Sequence, residues 1–352
     1  KFRSRIIKDK TVRTIIIDSV RLGPHSKGDD NRNKKEINNL LTKDPINALL
    51  NKSKISLEKK KNIDFKISKK IEKITCEAIN AKISTKKHYL QGQKKYALLD
   101  STDKKITYLK DFNKIRFSKI INNAFEKLLI KKKNIFFIGE DILDPYGGTF
   151  KITKNLQEKF PNNFFSSPVS EASITGLAGG LSLGNYVPIV EIMFGDFIGL
   201  IFDQIINYIS KYDLMFPFSK GNSVIIRTPM GGRRGYGPTH SQSLEKYFLG
   251  IPNFFVIALN KYSDVYALYE DIIKDKIKVL ILENKKDYNL TLTFNKKKIN
   301  GFNLRSYGHG YNEILELALD DINTPNLNII CYGGMLDLIE NVCKNLFIEH
   351  EL

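Results

Sequence analysis

Ser167-Pro-Val-Ser-Glu171-Ala-Ser-Ile-Thr-Gly176-Leu-Ala-Gly179-Gly180 places a carboxylate at the start of a Gly/Ala-rich helix. Backbone N–H donors and the helix dipole favour an anion at that point. From spacing alone Glu171 reads as an acidic helix cap, and the small residues at 176, 178, 179 and 180 show only that the helix can pack tightly. Its neighbours add weight to a chemical role. Glu191-Ile-Met-Phe-Gly-Asp-Phe197 closes a strand and enters a helix bearing Asp203-Gln204 and Asn207. Aromatic and polar groups thus gather at the C-terminal end of a strand, where open α/β sheets bind ligands. Downstream, Gly231-Gly-Arg-Arg-Gly-Tyr-Gly237-Pro-Thr-His240-Ser-Gln242 is a Gly/Arg loop that delivers a histidine. A loop histidine suits proton transfer better than a core histidine does.

These groups need elements to position them. Apolar strand patterns at Asn134–Ile138, Phe164–Phe165, Val187–Met193, Ser223–Arg227, Phe254–Ala258 and Val279–Leu282 alternate with helical ones. The helical patterns lie at Asn113–Lys131, near Thr153–Phe160, and at Ser173–Leu183, Ile198–Tyr212 and Ser263–Ile273. Such alternation predicts an α/β fold, a mostly parallel sheet with helices on both faces. Before it, Thr11–Ile17 reads as a strand or buried segment. Asn33–Asn51 reads as a helix that stops and restarts at Asp44-Pro45, and Ser56–Ile83 as a charged amphipathic helix. The polar stretch 84–107 reads as a linker. After Glu283 the chain turns polar and Asn-rich, then Asn328–Tyr332 predicts a strand and Met335–Phe347 a helix. The expected organisation is a mainly helical region at 1–90, a linker at 91–107, the α/β domain at 108–300, and the start of a truncated α/β domain at 301–352.

With 352 residues the chain has room for about two domains. A formal charge of +18 raises the prospect of nucleic acid or membrane binding. Lys far outnumbers Arg, however, and Lys59–Lys61 and Lys131–Lys133 lack interleaved aromatics, so they read as solvated faces and neither partner is expected. No apolar run approaches the roughly 18 residues of a membrane-spanning helix. Cys76, Cys331 and Cys343 have no metal or redox spacing, which points to a reducing compartment, the cytoplasm or an organelle matrix. The sequence begins Lys-Phe-Arg without Met, so an upstream continuation is expected.

Five segments, Phe137-Ile-Gly-Glu-Asp141, Tyr146-Gly-Gly-Thr-Phe150, Pro168-Val-Ser-Glu171, Glu191 to Asn207 with Asp203-Gln204, and Thr239-His-Ser-Gln242, share an order and spacing. In that respect the chain resembles the β subunit of the E1 component of 2-oxo acid dehydrogenases over residues 106–284. The resemblance implies a transketolase-like pyrimidine-binding domain and thiamine diphosphate-dependent decarboxylation of a 2-oxo acid, with acyl transfer to the lipoyl domain of a dihydrolipoamide acyltransferase. By position it implies that Glu171 hydrogen-bonds the aminopyrimidine ring nitrogen, that Phe197 stacks on the pyrimidine, and that His240 transfers a proton or positions the acyl group. Phe194, Gly195 and Asp196 lie where relatives vary with acyl size. Homo- or hetero-oligomers with interfacial sites, and potassium on backbone carbonyls, are further implications.

Arg21-Leu-Gly-Pro-His25-Ser26-Lys-Gly-Asp29-Asp30-Asn-Arg32 and Asp44-Pro45-Ile46 resemble the end of the α subunit of the same family. That likeness implies a fused α-tail and β chain, with His25 bordering the cofactor diphosphate. The Gly-Asp-Gly to Asn motif that holds magnesium and diphosphate in the family is absent, so magnesium is expected to be held by another half, and this fragment is expected to be inactive alone. Alternatives from the same reading are a transketolase-like or deoxyxylulose-phosphate-synthase-like thiamine enzyme, a basic nucleic-acid-binding protein, and a non-catalytic structural subunit.

Overall fold

The computed structural model describes residues 8–9, 16–17, 19, 21–23, 32–53, 55–83, 112–216, 221–232, 234–294, 298–299, 302–318 and 327–350. The chain divides into two compact units, 1–95 and 96–352.

Among the described residues of the first unit, capping side chains set the starts of three helices. Asn33 accepts from the Glu36 N–H at the head of α1 (Lys34–Leu41), Asp44 from Ile46 at α2 (Pro45–Lys52), and Ser56 from Lys59 at α3 (Leu57–Asn80). Pro45 opens α2, where its missing N–H costs nothing. The strand expected over 11–17 falls mostly outside the described residues, and Ile16 and Ile17 belong to no strand. The whole polar stretch 84–107, with the expected linker at 91–107, also lies outside them.

The second unit opens with β1 (Phe112–Arg116) and α4 (Phe117–Lys131). The helix expected from Asn113 therefore starts later, because its first residues pair antiparallel with a distant strand. There follow β2 (Ile135–Gly139), β3 (Phe164–Ser166), α5 (Glu171–Leu183), β4 (Val187–Glu191), β5 (Val224–Met230), β6 (Phe255–Leu259), α6 (Val265–Asp275) and β7 (Lys278–Asn284). The strands form one six-stranded sheet in the order β3-β2-β4-β5-β7-β6, every pair parallel. β8 (Thr291–Phe294) is the partner of β1.

Strand alternation supplies both faces of this sheet. Ile135, Phe137, Ile189, Ile225, Val279 and Ile281 pack under α4 and α6. Ile138, Val190, Val224, Ile226, Leu280 and Leu282 pack under α5 and residues 198–212. Buried on both sides, the strands read as continuous apolar runs, as parallel sheets require. Edge-on ring contacts of Phe125 with Phe137 at 5.0 Å and Tyr269 at 5.1 Å tie α4, β2 and α6 together.

Four expectations change. The helix near Thr153–Phe160 shrinks to a single turn at Leu156–Lys159. The helix expected over Ile198–Tyr212 is broken into tight turns at Gly195–Ile201 and Ile209–Lys211 around a widened π turn at Gln204–Tyr208. The polar stretch after Glu283 holds an antiparallel sheet of β9 (Lys298–Ile299), β10 (Phe302–Tyr307) and β11 (Ile314–Ala318), with β10 central. Finally, 327–332 forms no strand and leads into α7 (Leu336–His350). Among the described residues no helix is long and apolar enough to cross a membrane.

Candidate active site

Because the sheet is parallel, the C-terminal ends of β2, β4, β5 and β7 open on one edge, and each delivers chemistry there. β2 ends in Glu140, β4 leads to Phe194 and Phe197, β5 leads to the glycine loop with His240, and β7 leads to Lys285.

Glu171 is the first residue of α5 and is 8% exposed. Among the described residues its carboxylate accepts no hydrogen bond from a side chain or the backbone. Glu140, also buried, faces it and accepts from the Ser170 N–H at 3.1 Å. Burial, and then the nearby Glu171 carboxylate, push the Glu140 carboxyl above its ordinary range. α5 lies close against its neighbours because Gly179 leaves room for Tyr212: a Cβ there would fall 2.3 Å from the Tyr212 hydroxyl.

Phe197 and His240 are brought together. The His240 ring stands edge-on to Phe194 at 4.7 Å and to Phe197 at 5.4 Å, while its Nδ1 lies 3.0 Å from the Thr239 hydroxyl. The loop is held from two sides. The Gln242 amide donates to Asp196 Oδ1 at 2.8 Å, with the Gln242 N–H at 3.3 Å, and the Lys285 ammonium donates to the His240 carbonyl. Tyr236 and Phe150 extend the aromatic wall, Tyr236 lying 5.7 Å from Phe194 and Phe150 6.4 Å from both. Arg234 stands over Phe150 at 5.4 Å.

Beneath this edge lies a buried charge cluster. Arg227, fully buried, donates through Nε to Glu283 Oε1 at 2.8 Å, through Nη2 to Glu283 and to the Tyr288 hydroxyl, and through Nη1 to Glu191. Glu191 also accepts from the Thr149 N–H at 2.6 Å. Burial pushes the Glu191 carboxyl up; it also works against the Arg227 cation, but Glu283 and Glu191 outweigh it and hold the guanidinium well above its ordinary value, so Arg227 stays charged. Gly148 must be a glycine here, since a Cβ would sit 3.0 Å from both Glu191 oxygens and the backbone takes φ +73°. The cluster thereby fixes the 147–150 loop against the sheet.

His25 lies outside the described residues. Among the described residues there is no group of three or more His, Cys, Asp or Glu side chains that could hold a metal ion. The sequence reading missed Lys285 and the Arg227 cluster. Lysine is so abundant in this chain that a buried one leaves no mark, and the cluster's members are 36 and 56 residues apart in sequence. The one signal for the cluster was an arginine inside an otherwise apolar strand pattern.

Residues 113–291 match the family model described as the transketolase pyrimidine-binding domain. The chain is 31% identical over 186 residues to the acetoin:2,6-dichlorophenolindophenol oxidoreductase subunit beta of Cupriavidus necator, covering 50% of this chain and 55% of that protein. It is 31% identical over 165 residues to the mitochondrial pyruvate dehydrogenase E1 component subunit beta-1 of Arabidopsis thaliana, covering 47% and 45%. With the 3-methyl-2-oxobutanoate dehydrogenase subunit beta of Mycobacterium tuberculosis it shares 31% identity over 169 residues, 48% of each chain. The match thus spans about half the length of each of these relatives.

Proposed function

The chain belongs to the transketolase pyrimidine-binding domain family, and from that premise we propose that it forms the aminopyrimidine half of a thiamine diphosphate site in the decarboxylating component of a 2-oxo acid dehydrogenase complex. The observation that carries the reading is the buried Glu171 carboxylate, which heads α5 with its acceptor oxygens uncommitted among the described residues, at the edge where Phe197 and His240 meet. This donor set fits an aminopyrimidine, which offers a flat apolar face and a ring nitrogen that can share a proton with a carboxylate.

Thiamine diphosphate, when bound, supplies the carbon nucleophile and electron sink for decarboxylating a 2-oxo acid. Glu171 holds a proton at the ring nitrogen, and burial among protein dipoles strengthens that bond. Glu140 beside it is pushed above its ordinary range by burial and then by the Glu171 carboxylate. Phe197 presents a half-buried face to the pyrimidine, and the aromatic wall of Phe150, Phe194 and Tyr236 limits water around the reacting groups. With Nδ1 against Thr239, His240 has Nε2 left to exchange a proton with the substrate or the acyl group. Diphosphate and magnesium would be held by other residues, with His25 at their border, and the acceptor would be a lipoyl domain. Potassium on backbone carbonyls and an oligomer of this chain with itself or an α-type partner complete the proposal.

The test is 2-oxo acid-dependent acylation of a lipoyl acceptor by the full polypeptide supplied with thiamine diphosphate and magnesium. Acylation is expected, with a loss of about 10²- to 10⁴-fold in His240→Ala, the range for removing a proton-transfer group. Unchanged acylation in His240→Ala would remove that residue from the reaction.

A further inference from the structure

Lys285 is 1% exposed, immediately after β7, and its partners are unusual for a buried ammonium. Its Nζ donates to the His240 carbonyl and faces the Phe194 ring at 5.2 Å and the Tyr236 ring at 5.4 Å. Asp196 is the carboxylate that attracts it, and Arg234 repels it. A backbone carbonyl and two ring faces therefore hold the cation, with a carboxylate acting only at longer range.

Besides the Gln242–Asp196 hydrogen bonds and the ring contacts of Tyr236 and Arg234, the described residues of the loop it touches are conformationally permissive. Gly231, Gly235 and Gly237 take φ of +96°, +76° and +79°, and nothing within 4 Å would meet a Cβ at Gly235 or Gly237. Within the loop, the His240 N–H reaches the Gly237 carbonyl at a long 3.4 Å. Lys285 grips the loop twice: its own N–H donates to the Met230 carbonyl at 3.1 Å, where the loop leaves β5, and its side chain takes the His240 carbonyl near the far end. One residue thus spans the base of the loop.

We propose that Lys285 is a positioning residue for this site, a clip that fixes the 231–242 loop so that the His240 imidazole stays against Phe194 and Phe197. The proposal rests on the functional reading above for what His240 does, and on geometry alone for where His240 is held. It also gives Phe194 a second role, as part of the seat of the ammonium with Tyr236.

The experiment compares the full polypeptide with Lys285→Met, Lys285→Arg, His240→Ala and the Lys285→Met/His240→Ala double variant. Hydrogen exchange of peptides spanning 231–242 is measured without cofactor. Lys285→Met is expected to speed exchange in that loop by about tenfold or more while β5 and β7 keep their protection, the consequence of losing one charge-assisted hydrogen bond at a local site. Lys285→Arg is expected to restore most of the protection. In lipoyl acylation, Lys285→Met should lower kcat by about tenfold with KM nearly unchanged, and should cost little more in the His240→Ala background, since both changes act through one side chain. Unchanged loop exchange, or an equal loss in the parent and His240→Ala backgrounds, overturns the proposal. If Lys285→Met does not fold, Lys285→Leu, which also removes the donor to the His240 carbonyl, is read the same way. The exchange arm uses no cofactor, so it judges the clip even where the parent fails to bind thiamine diphosphate, an outcome that would sink only the functional reading.

Discussion

At the scale of single residues, the buried Arg227 cluster is where one substitution has the largest effect. Glu191 and Glu283 are buried with it, so removing the guanidinium leaves two carboxylates facing each other without a cation. Arg227→Met is expected to destabilise the fold by about 3–5 kcal/mol, read from urea unfolding midpoints, and to loosen the 147–150 loop that Glu191 holds through Thr149. A loss below about 1 kcal/mol would mean the carboxylates find other partners. The sequence made some of these residues legible. Glu171 precedes a small-residue helix, and His240 sits in a glycine loop; both signals are local, and the structure places both residues at one edge of the sheet. Lys285 and Glu283 were silent, and Arg227 showed only as a charge inside an apolar strand pattern, because their meaning lies in contacts between segments distant in sequence, which one-dimensional spacing does not carry.

At the scale of elements, close approach and buried charge decide the outcome. Gly179→Ala would drive a methyl against the Tyr212 hydroxyl at 2.3 Å and its ring at 3.1 Å, and should cost about 1–3 kcal/mol. Gly180→Ala meets nothing within 4 Å and should be neutral or gain up to about 1 kcal/mol of helix propensity. Thermal unfolding of the two variants side by side checks the contrast, and equal effects would contradict the packing.

The joint between β7 and α7 adds a pH dependence. Asp287, 6% exposed, has its carboxyl pushed up to about 7 by burial and then by Asp337 of α7, with Lys261 and Lys286 opposing. Lys261 and the Tyr262 hydroxyl bind Glu340 of the same helix, so the joint is already rich in carboxylates. The folded Asp287 keeps a proton that the unfolded chain has lost above about 3.8. Its contribution to stability is therefore whole below that pH and fades as pH rises through about 7. Asp287→Asn should remove this slope and exceed the parent's stability at pH 8 by an amount on the order of 2–4 kcal/mol at most; a parallel pH profile for parent and variant would rule it out. Most strands and helices of the parallel sheet were legible as alternating apolar runs. The 195–215 segment was not, because its apolar spacing suits a helix while its backbone tightens and then widens around Asp203 and Gln204. β9 to β11 were hidden for another reason: they are strands of two to six residues set within a polar, Asn-rich stretch, too short for a period to be read.

At the scale of the whole molecule, part of the +18 charge is matched by acidic neighbours such as the Lys60–Asp64, Lys69–Glu72 and Lys159–Glu126 pairs. What organises the second unit is the open edge of one parallel sheet, and what defines that edge is Glu171. A carboxylate and a pyrimidine ring nitrogen are both acceptors, so they can bond only with a proton between them. Cofactor binding at a pH where both start unprotonated must then take a proton from solvent. Calorimetric titration of thiamine diphosphate with magnesium into the full polypeptide, in buffers of different ionisation enthalpy, measures that uptake. The account predicts saturable binding with proton uptake in the parent and none in Glu171→Gln, whose amide supplies its own N–H. The absence of binding in the parent, or equal proton uptake in both proteins, would contradict it.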